Sequence, residues 1–292
     1  MSQPFISIEF YLYNRYASNT AKIYSFYIEK FLSKNPDAAS YNFAQIIDYL
    51  DAEKAKQRKN AKLPMLLGSI KCYYNYLLET GQRNSHPCKM LVQKFKKKSI
   101  QIQDLFSRKE LEQIVNSDPW ATFLTIRNKL ILSFYIYQGV LSSELIQLKI
   151  SDIDFDNKKV KFKGRKSVTS RHLGLNNLQI NLLKEYLINS RPKLNKYNRE
   201  ELILTSRGGC ATIDGLSSLF DVLKHMFPDR KLNATTVRQS VISNLLNHHN
   251  YLIEDVQLFS GQKWPSTTER YKRLNIEDQR KKINLWHPLE KK

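Results

Sequence analysis

The chain has 292 residues, 47 of them Lys or Arg against 27 Asp or Glu, for a formal net charge of +20 and a sequence pI near 9.7. That balance points to a polyanionic partner, nucleic acid first, although ribosomal, membrane-surface and heparin-binding proteins share it. The length allows two domains, each with its own core. No run approaches the roughly 18 apolar residues of a membrane span, and Glu9 breaks the first apolar stretch with no small-residue cleavage site after it, which argues against a signal peptide. Cys72, Cys88 and Cys210 are widely separated and odd in number, so they form neither a disulfide framework nor a metal-ligand pattern and fit buried thiols in a reducing cytoplasm.

The first part of the chain reads as helices. Ser18-Asn19-Thr20 predicts an N-cap. Ile23, Tyr27 and Phe31 recur on one face of the helix that follows, with Tyr24, Ile28 and Leu32 beside them. A second helix is predicted over about 42–56. A third carries Leu67, Ile70, Tyr74 and Leu77 at helical spacing and ends near Gly81. This predicts a helical domain over 1–91. A basic connector over 92–104 holds Lys94, Lys96, Lys97 and Lys98, which are too many like charges to pack against a core. They suit a solvated linker or one lying along a phosphate backbone.

Ser107-x-x-Glu110 is a capping-box pattern that opens a second domain, over 105–275. Thr125 to Tyr137 predicts a mostly apolar, buried helix. Asp152 to Phe155 leads into a turn at Asp156-Asn157. Lys159, Lys161 and Lys163 alternate with Val160 and Phe162, which is strand periodicity with one basic face. Arg171 to Leu175 is a candidate return strand. Helices are predicted at about 177–190, 214–226, 234–247 and 253–259. The fold class expected is mainly α with a small antiparallel sheet in the second domain, an α+β arrangement. A tail over 276–292 completes the chain.

The segment Gly261-Gln262-Lys263-Trp264-Pro265-Ser266-Thr267-Thr268-Glu269-Arg270-Tyr271 resembles the nucleophile box of tyrosine recombinases, the phage-integrase-like family, in which Gly-His-x-x-x-x-Thr-Thr-x-x-Tyr presents a tyrosine to DNA. The order of further segments strengthens the resemblance over nearly the whole chain. "SNTAKIYSFYIEKF" and "IKCYYNYLLETGQRNSHPCKM" are similar to the helical core-binding domain. "YQGVLSSELIQLKISDIDF" resembles the segment that normally bears the first catalytic arginine, and "VKFKGRKSV" the hairpin that bears the catalytic lysine. "LNATTVRQSVISNLL" resembles the His-x-x-Arg helix.

The resemblance implies a transesterification. A tyrosine hydroxyl attacks a phosphodiester, a 3′-phosphotyrosyl link forms and a 5′-hydroxyl leaves. The bond energy is retained, so neither cofactor nor metal is implied. Permanently charged, bidentate arginines suit the charge that gathers on the phosphate oxygens. Carried over residue by residue, Tyr271 is the nucleophile and Arg238 the second arginine. Lys166 is the hairpin general acid, with Lys163 as its alternate and Arg165 as a phosphate contact. Three positions depart from the family pattern. Leu141 stands at the first arginine, Thr235 at the histidine of His-x-x-Arg and Gln262 at the histidine of the box. Arg127, Arg165, Arg171 and Arg207 are in segments that border the family's site and are candidates to compensate.

Double-stranded DNA is the implied partner, clamped between the two domains, with DNA contacts at Lys94, Lys96, Lys97, Lys98, Lys163 and Arg165. The family also implies a homo-oligomer, a tetramer on two sites exchanging the C-terminal tail, and a cytoplasmic, nucleoid-associated location without a membrane partner. Two functions stay open at this stage. One is a recombinase or integrase with a divergent site, and the other a catalytically inactive DNA-binding relative that occupies or organises a recombination site. The same tyrosine chemistry used for DNA end resolution or relaxation is a third.

Overall fold

A computed structural model describes residues 7–56, 63–92, 104–120, 124–165, 168–247 and 251–272. The chain divides into two compact units, Met1–Lys97 and Lys98–Lys292.

The first unit is helical. Its elements are α1 (Ile8–Arg15), α2 (Ser18–Lys34), α3 (Phe43–Ala55) and α4 (Leu63–Glu79). Asn42 and Gln45 close a reciprocal capping box at the start of α3, each side chain taking the other residue's backbone N–H. Helix α4 stops at Gly81, whose φ of 70° is left-handed. There Gln82 N–H returns to Leu77 O and Gly81 N–H to Leu78 O, a Schellman ending. Phe31, Ile46, Ile70 and Tyr74 fill the core between the helices, and the Tyr74 hydroxyl donates to Ala38 O at 2.6 Å.

Two readings of α2 need correction. Ala17, not Ser18, is the N-cap residue, and it is extended without a side-chain cap bond, so Ser18 to Thr20 form the first helical turn. The buried stripe runs through Ala21, Ile28 and Phe31, while Ile23 is 39% exposed. Contact with α4 rotates the helix so that the face starting at Ile23 only partly meets the core.

The second unit opens as expected, with the Ser107–Glu110 capping box ahead of α5 (Arg108–Asn116). Helix α6 (Thr125–Tyr137) is buried along most of its length. A four-residue helix, α7 (Ser142–Leu145), follows. Strands β1 (Ile153–Asp154), β2 (Lys159–Phe162) and β3 (Arg171–Gly174) then form an antiparallel sheet in the order β1-β2-β3. The register pairs Val160 with Leu173 and Phe162 with Arg171. Val160 and Phe162 point into the core, and Lys159 and Lys161 point out, because successive strand side chains alternate between faces.

Helix α8 (Asn177–Glu185) passes through a π-turn at Tyr186–Ser190 into α9 (Arg191–Leu194). Then come α10 (Ile213–Leu223), α11 (Ala234–Asn247), α12 (Ile253–Ser260) and α13 (Pro265–Glu269). The core joins α5, α6, the sheet and α8 to α11. The fold is thus mainly helical with a three-stranded antiparallel sheet. Helices α1, α7, α9 and α13 were not announced by periodicity, and the last three, of four or five residues, are too short to show a full stripe. No helix among the described residues is long and apolar enough to cross a membrane.

Candidate functional site

Helix α11 begins with another reciprocal cap. Asn233 N–H donates to Thr236 Oγ1 at 3.0 Å and Thr236 N–H to Asn233 Oδ1 at 2.9 Å. This places Thr235 in the exposed first turn and Arg238 one turn further in, buried. The Arg238 guanidinium donates through Nη1 to Gly139 O, and through Nη2 to Ser260 O at 2.7 Å. It therefore ties the start of the Gly139–Leu145 segment to the end of α12. Burial lowers its pKa to about 10, with the Glu144 charge opposing the shift and the Arg171 charge adding to it. Arg238 stays cationic at neutral pH, and little water competes for its remaining N–H groups.

Gly139 is left-handed, with φ of 55°, and a Cβ there would lie 3.3 Å from Val241. Two residues on, Leu141 is half-buried and carries no donor into the site. Its backbone N–H is held by Glu144 Oε2 at 2.8 Å. Glu144 also takes both prongs of Arg171 from β3, Nη1 to Oε1 at 2.5 Å and Nη2 to Oε2 at 3.1 Å. Thus α7 is clasped to the sheet beneath the position that the family gives to its first arginine.

The nucleophile box is built from α12 and α13. Gly261 caps α12 in the left-handed region, with φ of 67°. A Cβ on it would lie 2.8 Å from Arg171 Nη1 and 3.0 Å from Thr169 O, so glycine is required by both conformation and space. Thr169 N–H donates to Gly261 O at 2.9 Å, and Val168 bridges to Gln262. These bonds sew the hairpin to the box. Thr268 is fully buried, and its hydroxyl donates to Gln262 Oε1 at 2.6 Å. With its oxygen so engaged, the Gln262 amide is left with N–H donors, a neutral substitute for a histidine N–H.

Tyr271 follows one turn later, its N–H donating to Thr268 O at 3.1 Å and its carbonyl accepting from Asn247 Nδ2 at 2.9 Å. The ring packs with Ile242, Leu246 and Val256 and is 7% exposed. Burial raises its pKa, while the Arg238 charge and a hydrogen bond with Gln239 pull the other way. The phenol is therefore neutral at physiological pH, next to a buried guanidinium.

Arg238 is thus tied to the box through Ser260 O, and Gln262 and Tyr271 through Thr268, while Thr235 lies one turn from Arg238 on the same helix. Lys163 is an exposed hairpin lysine whose ammonium lies 3.3 Å from Asp152 Oδ1. Arg165 is exposed on the same hairpin. Lys166, Lys94, Lys96, Lys97, Lys98 and the tail over 276–292 lie outside the described residues. Sequence reasoning missed the Glu144–Arg171 clasp and the Gln239 contact with the phenol. Glu144, three residues past Leu141 in a capping-box spacing, was the one available signal. Among the described residues no cluster of His, Cys, Asp and Glu is arranged to hold a metal ion.

Helical layers around a three-stranded sheet, with a buried arginine and a box tyrosine brought together at one end of two helices, define the catalytic-domain architecture expected above. Residues 104–278, more than half of the chain, match the family model described as "Phage integrase family", and the chain belongs to that family. It is 25% identical over 283 residues to a protein of Staphylococcus saprophyticus named tyrosine recombinase XerC, covering 95% of this chain and 94% of that one. It is 23% identical over 266 residues to tyrosine recombinase XerD of Listeria innocua, covering 87% and 88%. Among solved structures, the XerH site-specific recombinase bound to a palindromic difH substrate in a post-cleavage complex superposes with a TM-score of 0.72 at 18% identity, over 92% of this chain and 79% of that one. The Tn1549 transposon integrase in complex with a circular intermediate DNA gives 0.68 at 12% identity, over 96% and 99%. These two likenesses are likenesses of fold.

Proposed function

We propose that this chain is a site-specific DNA recombinase or integrase that cuts and rejoins duplex DNA through a 3′-phosphotyrosyl intermediate at a divergent active site. The observation that carries the reading is the placement of Tyr271. Its ring is buried against Ile242, Leu246 and Val256, close enough to Gln239 and to the buried Arg238 for both to lower its pKa against burial, in a box whose glycine and threonine each have a structural task. In the reaction the phenolic oxygen bonds to phosphorus and the bond from phosphorus to the 5′-oxygen breaks. The phenolic proton leaves, and a proton is delivered to the departing oxygen. No electron is gained or lost. Arg238 holds a non-bridging oxygen, and Gln262 donates a neutral hydrogen bond. By the family resemblance the proton for the 5′-oxygen comes from Lys166, or from Lys163 once it is released from Asp152.

The DNA partner is supported by the net charge of +20 and by relatives named as recombinases. Lys94, Lys96, Lys97, Lys98, Lys163 and Arg165 are the phosphate contacts in this reading, and the two units clamp the duplex. A homo-oligomer, tetrameric on two sites, follows from the same reading, and the location is cytoplasmic, on the nucleoid. The tail over 276–292 would be exchanged between neighbours. Ile283, Leu285 and Trp286 are the anchors of that exchange in this reading.

A second reading, a DNA-binding relative that organises a recombination site without cutting, is favoured by Leu141 and Thr235 at two family catalytic positions. Incubation of the full-length chain with nicked duplexes that release the cleaved end separates the two. Covalent complexes are expected from the recombinase. Tight binding without any covalent product would leave the second reading.

A further inference from the structure

With Leu141 at the first arginine position, a working site needs another guanidinium on the phosphate, because loss of one preorganised donor costs about 10²–10³ in rate. Two of the four bordering arginines are committed elsewhere, and a third is not tied to the site. Arg127 spends its donors on Asn128 Oδ1 and Leu204 O. Arg171 is locked to Glu144 by both prongs, and its buried Nε has no hydrogen-bond partner, so it faces protein and not a ligand. Arg207 is exposed on a turn closed by Thr205 N–H to Gly209 O, and among the described residues no hydrogen bond ties its guanidinium to the Leu141 segment or to the box.

Arg165 is placed differently. It is exposed, and its Nη2 donates to Ser143 O at 2.8 Å, two residues beyond Leu141 in the same short segment. Its backbone pairs with Val168 in both directions, at 2.6 and 3.2 Å. Val168 in turn bridges to Gln262, and Thr169 N–H reaches Gly261 O. One hairpin tip is therefore fixed to the nucleophile box by its backbone and to the Leu141 segment by its guanidinium. Among the described residues no carboxylate pairs with Arg165. Ser143 takes one of its N–H groups, and a guanidinium has five.

We propose that Arg165 supplies the second guanidinium to the scissile phosphate, in place of the arginine that Leu141 has displaced. The inference rests on the catalytic reading above. Arg165 neutralises a non-bridging oxygen as negative charge gathers there, a task for which a planar, permanently charged fork is suited.

The test uses the full-length chain and a nicked duplex bearing a site that this protein selects from a randomised library, at saturating DNA. Arg165→Ala is expected to slow single-turnover formation of the covalent complex by about 10²–10³ at DNA concentrations that saturate the variant itself, so that weaker binding does not enter the rate. A methylphosphonate at the scissile position removes the negative charge, and there Arg165→Ala and the unaltered protein should react within a few fold of each other. Adding Leu141→Arg to Arg165→Ala should recover much of the rate on phosphate. Unchanged rates on phosphate with weaker binding and a salt dependence shallower by about one contact would overturn the proposal and make Arg165 an ordinary backbone contact. An equal loss on both substrates would overturn it in favour of a structural role. If the unaltered protein forms no adduct at all, the catalytic reading fails and carries this proposal with it.

Discussion

Glu144 and Arg171 form a two-pronged ion pair with side chains 1% and 5% exposed, and the same carboxylate holds the Leu141 backbone N–H. The pair spans 27 residues of sequence and fixes α7 to β3. Breaking a buried pair leaves one charge uncompensated, at a cost of about 3–5 kcal/mol, whereas replacing both partners by apolar groups costs far less. Glu144→Leu and Arg171→Met should each lower the denaturant midpoint strongly, and the double substitution should be less destabilised than the sum. Additive losses in a double-mutant cycle would show that the two residues act separately.

Gly261 and Gly81 offer a controlled comparison. Both are left-handed, with φ of 67° and 70°, so alanine at either place meets a backbone cost of about 1–2 kcal/mol. A Cβ on Gly81 meets nothing within 4 Å, while one on Gly261 meets Arg171 Nη1 at 2.8 Å. Gly261→Ala should therefore destabilise the protein well beyond Gly81→Ala in urea unfolding and displace Arg171 from Glu144. Equal losses would mean that the clasp yields without cost.

Glu53 in α3 is buried beneath Lys30 and Lys34, at 2.8 and 2.7 Å, and those two hydrogen bonds hold its pKa at about 2 against an ordinary 4.5. A carboxylate with a depressed folded-state pKa stabilises fully above its unfolded value and loses that stability as pH falls towards the folded one. The stability difference between the native chain and Glu53→Gln should be constant near neutrality and shrink from about pH 4.5 to about pH 2. A difference flat across that range would detach the lysines from the stability of the first unit.

Arg238 has a structural task and, in the proposed reaction, a chemical one. Arg238→Ala leaves Gly139 O and Ser260 O without their donor, at about 1–3 kcal/mol for each buried group left unpaired, and removes a transition-state contact worth about 10²–10³ in rate. Arg238→Lys keeps the charge but not the planar fork, so it should recover stability only in part and rate poorly. Full recovery of the cleavage rate by lysine would show that charge alone suffices.

Local patterns were legible in the sequence and long-range pairings were not. The Ser107–Glu110 box, the alternation of Lys159 to Lys163 and the Gly81 ending depend on neighbours within a few residues, and the structure has all three. Ile23 was misplaced because the orientation of α2 is decided by α4, some forty residues away. The Tyr271 box was readable as a resemblance, but the reasons for its parts emerge only in three dimensions. Gly261 makes room for Arg171, and Thr268 orients Gln262. No sequence pattern announces that the phenol meets Gln239, or that Arg165 from the hairpin reaches the carbonyl of Ser143.

The central claim is that Tyr271 attacks DNA, and the most direct measurement is to find which residue carries the DNA after reaction with a nicked duplex. Protease digestion and mass spectrometry of the covalent complex should place a 3′-phosphoryl nucleotide on the peptide containing Tyr271. Tyr271→Phe should abolish the complex while DNA binding stays nearly unchanged. A covalent link on another residue, or a Tyr271→Phe protein that still forms the complex, would contradict the account.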